Sequence, residues 1–133
     1  MRFECQPGCT NCCDQQGFVY LTEDDADRIA AFLGQSKAEF ETQHTFRTKN
    51  LLRLRVPRHA QCTFLVDGRC SIHAVKPVQC RTFPFWPEIL ATRRRWHETG
   101  ANCPGIGKGE LVNIESAEAQ AEEMRRAHPH LYP

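Results

Sequence analysis

The chemistry legible in this sequence is carried by cysteine. Cys5, Cys9, Cys12 and Cys13 crowd near the start, and Cys62, Cys70, Cys80 and Cys103 follow after a long gap. The stretch Cys5-x3-Cys9-x2-Cys12 places three sulfurs on a loop with Pro7 and Gly8, a length that can curl around one metal centre with backbone amides facing the sulfurs. Soft thiolates at such spacing select zinc, copper(I) or iron–sulfur clusters over hard cations. Neighbouring residues of an extended backbone send their side chains to opposite faces, so Cys12 and Cys13 reach one ion only through a sharp bend. Cys13 can therefore serve a second metal, a second iron of the same cluster, or no metal at all.

Disulfides are the competing use of these thiols. Eight cysteines in 133 residues is about 6%, below the share that marks a short disulfide scaffold. The opening Met1-Arg2-Phe3-Glu4-Cys5 lacks the apolar run and small-residue cleavage site of a secretory signal, so the expected setting is a reducing cytoplasm, where clustered thiols bind metal. A net charge of +1 supplies no field for nucleic acid, and no apolar run approaches the ~20 residues of a membrane span. The expected partners are metal ions, with neither membrane nor nucleic acid.

Elements must bring these thiols together. Thr22, with Asp25 three residues on, opens a helix whose apolar Ala26, Ile29, Ala30 and Leu33 fall at helical spacing and which Gly34 closes. Ser36 and Glu39 repeat the capping box and predict a second, short helix through Phe40 towards His44. Leu52 to Val56 alternates apolar and basic residues, as a half-buried strand ended by Pro57 does. Residues 63–72 read as a hairpin turning at Asp67-Gly68, with Leu65 opposite Cys70 and Cys62 opposite His73. That register separates Cys62 from Cys70 by roughly 10 Å along the ladder. Pro77, Pro84 and Pro87 argue against a regular element over residues 77–87, and residues 94–98 suit a strand. Residues 105–109 lack the P-loop spacing and read as a flexible connector. Ile114, Ala117, Ala121 and Met124 set out a terminal amphipathic helix over residues 114–128, stopped by Pro129.

The expected fold is therefore a small α+β domain spanning residues 1–133, with a metal core at 5–107. N-terminal helices, a short antiparallel hairpin or meander, irregular cysteine loops and a C-terminal helix make it up. Binding metal adds folding free energy, because the ligands converge only in the folded state, so the metal is expected to stabilise it.

Cys103-Pro104 resembles the Cys-Pro step of bacterial ferredoxins, and the N-terminal spacing matches the cluster loop of radical S-adenosylmethionine enzymes. Those enzymes use a barrel of roughly 200 residues or more, so the loop points to iron–sulfur without their chemistry. A broader resemblance covers residues 5–107. Cys5-x3-Cys9-x2-Cys12-Cys13, Leu21-Thr22, Arg28-Ile29-Ala30, Phe64-Leu65, Gly68-x-Cys70-x-Ile72-His73, Pro77-x2-Cys80-Arg81-x-Phe83-Pro84 and Cys103-Pro104-Gly105 resemble the YkgJ-type CxxxCxxCC cysteine-cluster family. The resemblance implies a bacterial, cytoplasmic zinc- or iron-chelating domain with all eight cysteines as ligands, and no settled reaction. The family more usually has Tyr where this chain has His73. A related cysteine motif occurs in the longer flagellin lysine methylases, but this chain has no glycine-rich cofactor loop for methyl transfer.

Three functions follow. The leading one is a metal-binding protein holding iron as an iron–sulfur cluster through Cys5, Cys9, Cys12, Cys13, Cys62, Cys70, Cys80 and Cys103. Alternatives are a zinc-stabilised interaction module with four-cysteine sites, and a thiol redox or metal-delivery protein working through Cys12 and Cys13. His73 reads as a packed ring or a hydrogen-bond donor to sulfur, and Arg81 as a residue that orients the ligands. Arg93, Arg94 and Arg95 read as a solvated turn or a charge partner for the cluster. No carboxylate dyad or Ser-His-Asp grouping suggests hydrolytic catalysis.

Overall fold

In the computed structural model, which describes residues 1–5, 19–55, 65–66 and 69–133, the chain is α+β. Its elements in order are β1 (Arg2–Phe3), β2 (Tyr20–Leu21), α1 (Glu23–Leu33), α2 (Lys37–His44), β3 (Thr45–Thr48), β4 (Leu51–Leu54), β5 (Leu65–Val66), β6 (Arg69–Cys70), a 3₁₀ turn (His73–Val75), α3 (Val78–Thr82), α4 (Pro87–Leu90), α5 (Arg93–Gly100), β7 (Ile106–Leu111) and α6 (Ile114–Ala127). They fall into two compact units, Cys13–Arg81 and Met1–Cys12 with Thr82–Pro133.

In the unit 13–81, local chemistry fixes the helices first. Thr22 accepts from the Asp25 amide while Asp25 accepts from the Thr22 amide, both at 2.9 Å, which satisfies amides that a helix start leaves open. Gly34 ends α1 in the left-handed conformation, with φ of 70°. Ser36 and Glu39 cap α2 in the same reciprocal way. Ile29, Ala30 and Phe40 from these helices are buried with Leu21, Leu52, Leu54 and Ile72. Phe40 is wholly inaccessible, and truncating such a ring to alanine costs about 3–5 kcal/mol. Opposite α1 and α2 lies a three-stranded antiparallel sheet in the order β2-β4-β3. Its Leu52 and Leu54 point inward, as the alternating pattern predicts. Strand β3 has no counterpart in the sequence pattern: it leaves α2 without an intervening loop and turns back through Lys49 and Asn50, both at positive φ. The expected Val56 and Pro57 end of this ladder lies outside the described residues.

Strands β5 and β6 pair with Leu65 opposite Cys70, the predicted register. Their connecting residues Asp67 and Gly68 lie outside the described residues. The ladder does not continue to His73, which opens the 3₁₀ turn and is exposed. The proline-rich stretch corrects a second expectation. Helix α3 begins right after Pro77, and Pro87 is the first residue of α4. A helix start leaves that N–H unbonded in any case, so proline begins these short helices rather than preventing them.

In the other unit, residues 94–98 are helical rather than extended. The Thr92 side chain accepts from the Arg95 amide and starts α5, and Arg94 pairs with Glu98 one turn on at 2.9 Å. Buried Trp96 stacks on Phe85 at 5.7 Å, within an apolar group that includes Ile89 and Ala117. Asn113 caps α6, whose Ala117, Ala121 and Met124 are buried as the spacing predicts. The supposed connector at 105–109 instead enters β7, which pairs antiparallel with β1. No helix is long and apolar enough to cross a membrane among the described residues.

Candidate metal centre

Of the eight candidate ligands, Cys5, Cys70, Cys80 and Cys103 lie among the described residues, while Cys9, Cys12, Cys13 and Cys62 lie outside them. Each unit positions its described cysteines separately.

Cys5 lies two residues after β1 and Cys103 three before β7, so the β1–β7 pairing bears on both. Phe3 pairs with Ile106, and the Glu4 amide donates to the Gly105 carbonyl at 3.0 Å, so the antiparallel course leads Cys5 towards the Cys103-Pro104 step. Gly105 permits this approach. A Cβ there would fall on the Glu4 carbonyl oxygen and stand 3.0 Å from both the Glu4 carbonyl carbon and the Phe3 ring. The Cys103 amide donates to Thr99 O and its carbonyl accepts from Ile106 N, which locks the Cys103 backbone to the end of α5. Cys103 is buried and Cys5 exposed. The pairing then slips: Arg2 stands opposite Leu111, with Gly107 and Gly109 at positive φ in the bulge between. Arg2 Nη1 closes that bulge by donating to Gly109 O at 2.9 Å.

In the unit 13–81, Cys70 ends strand β6 and half-buried Cys80 sits in the middle of α3. The start of α3 is tied to its surroundings twice. Val78 N donates to the fully buried Asp25 carboxylate at 3.2 and 3.3 Å, and Gln79 Oε1 accepts from Tyr20 N at 2.9 Å. Arg28 Nη2 donates to the same carboxylate at 2.6 Å, so the buried charge is paired as well as hydrogen-bonded. Sequence reasoning used Asp25 only as a helix cap, and nothing in the pattern singled out Gln79. The sole sign for Gly105 was its place after a Cys-Pro step.

Arg81 is exposed, and Arg93, Arg94 and Arg95 are exposed in the first turn of α5. Among the described residues, no three His, Cys, Asp or Glu side chains form a metal-binding group. The donor chemistry nevertheless suits a soft or borderline metal, because the candidate ligands are thiols. No solved structure matches the chain. A family model does, over residues 4–104, and that stretch takes in all eight cysteines. By that match the chain belongs to the CxxCxxCC family of zinc- or iron-chelating domains.

Proposed function

We propose that this protein holds iron as an iron–sulfur cluster, with Cys5, Cys9, Cys12, Cys13, Cys62, Cys70, Cys80 and Cys103 as its thiolate ligands, in the cytoplasm. The observation that supports the reading is the Glu4–Gly105 hydrogen bond, which sets the backbone just before Cys5 beside the residue two past Cys103. The loop spacing and the Cys-Pro step favour iron–sulfur over a bare ion. Zinc in four-thiolate sites is the second reading, supported by the family description, which names zinc beside iron.

Anaerobic purification separates the two. An iron–sulfur protein is brown, absorbs broadly near ~400 nm and releases sulfide on acidification, whereas d¹⁰ zinc is colourless. A colourless anaerobic preparation with stoichiometric zinc and no labile sulfide overturns the iron–sulfur assignment. An anaerobic preparation that carries neither iron nor zinc overturns metal binding itself.

A further inference from the structure

The two helix caps of the unit 13–81 share one sequence pattern but differ in burial. At α2 the acid of the box, Glu39, is exposed and the box serves that helix alone. At α1 the acid is Asp25, fully inaccessible, and beyond capping α1 it receives the first amide of α3. Capping does not require burial of a carboxylate, and burying one is unfavourable unless its lone pairs are used. Three donors converge on this one: Thr22 N, Arg28 Nη2 and Val78 N.

The next residue, Gln79, reaches in another direction. Its Oε1 takes the amide of Tyr20, at the start of β2. Consecutive residues of α3 are thus held from α1 and from β2, which fixes both the position and the rotation of the helix start. The residue after them is Cys80. A helix of five residues has little intrinsic stability, so these outside bonds decide where its middle residue stands.

We propose that Asp25 and Gln79 are positioning residues of the metal centre, which hold Cys80 in place before metal arrives. This rests on the reading of Cys80 as a ligand. Groups that orient metal ligands typically change affinity 10–100-fold when removed.

The test titrates the anaerobic, metal-stripped full chain with Co²⁺, followed by the thiolate-to-cobalt charge-transfer band and the ligand-field spectrum, with a chelator competing to give affinity. Gln79→Met removes the acceptor at similar volume, and Gln79→Glu restores an acceptor oxygen. The expected result is about 10–100-fold weaker Co²⁺ binding and an altered ligand-field envelope in Gln79→Met, with recovery in Gln79→Glu. Asp25→Asn, which keeps the shape but loses the charge paired with Arg28, shifts affinity in the same direction. Thermal unfolding of each metal-free variant accompanies the titration. Wild-type affinity and spectrum in Gln79→Met overturn the positioning role while metal binding stands. So does a loss of stability that is equal in metal-free and metal-loaded protein. A Cys80→Ser chain with an unchanged cobalt spectrum removes Cys80 from the centre and the proposal with it. No charge-transfer band in the wild type is the distinct result that sinks thiolate metal binding itself.

Discussion

Replacing Gly105 by alanine tests the close backbone contact between Glu4, the residue before Cys5, and Gly105, two residues past Cys103. The backbone at Gly105 is not in the left-handed region, so alanine meets no conformational penalty there and its effect is steric. The new methyl would overlap the Glu4 carbonyl and crowd the Phe3 ring at 3.0 Å. Relieving it takes a shift of about 1 Å, and overpacking of this kind costs about 1–3 kcal/mol. The same shift opens the 3.0 Å Glu4–Gly105 hydrogen bond, a further loss of about 1 kcal/mol. The expected destabilisation is therefore about 2–4 kcal/mol in urea unfolding, accompanied, on the proposed reading of Cys5 as a ligand, by a reduced metal content because the Glu4 backbone beside it shifts. Gly107 provides the internal contrast: it has open space but a φ of +89°, so Gly107→Ala costs only the left-handed penalty of about 1–2 kcal/mol. An unchanged urea midpoint in Gly105→Ala, or a larger loss in Gly107→Ala, refutes the steric argument.

Gly34 closes α1 at φ +70°, and a methyl added there would meet nothing within 4 Å, so Gly34→Ala lowers stability by about 1 kcal/mol in urea and Gly34→Asn by less. The Glu23 carboxyl is held below the ordinary carboxylate range, chiefly by its hydrogen bond from Lys37 and then by Arg47. A lowered folded pKa gives stability that is present above the unfolded value of about 4.3 and is lost as pH falls through the folded value. Acid unfolding followed by circular dichroism should accordingly show a shallower dependence in Glu23→Gln than in the wild type, and high salt should shrink the difference. The Tyr132 phenol donates to Glu88 Oε2 at 2.8 Å, and burial followed by that carboxylate raises its pKa. Its contribution is present below the usual value near ~10 and disappears as the phenol ionises above it. Ultraviolet titration should show a late tyrosinate phase at strongly alkaline pH, and that phase should vanish in Tyr132→Phe.

Three of the helices were legible from local chemical signals. Both capping boxes placed α1 and α2, and the run Ile114, Ala117, Ala121, Met124 placed α6. The Asp67-Gly68 step gave the correct β5–β6 register. Elsewhere the deciding forces were nonlocal or misread. Strand β3 has no breaker before it, and its sole turn signal is Asn50 at positive φ. In α5, one buried Trp96 among basic residues leaves no apolar period, so only the Thr92 cap and the Arg94–Glu98 spacing marked a helix. Gly105, Gly107 and Gly109 read as slack, yet Gly105 admits a passing strand and the other two form its bulge. At the candidate centre, residue type and spacing were enough to place the chain in its metal-chelating family. The groups that hold the start of α3, Asp25 and Gln79, act across more than fifty residues of chain and left no pattern to read.

The β1–β7 pairing also orders events in time. Its partners meet through a hydrogen bond between Glu4 and Gly105, and a ribosome adding about 5–20 residues per second needs roughly 5–20 s to make the chain between them. Through that interval β1, two residues before Cys5, has no β7 to pair with. The Cys5 thiol thus meets whatever metals and oxidants the nascent chain encounters. An mRNA with slow codons before residue 105 lengthens the interval without altering a single residue.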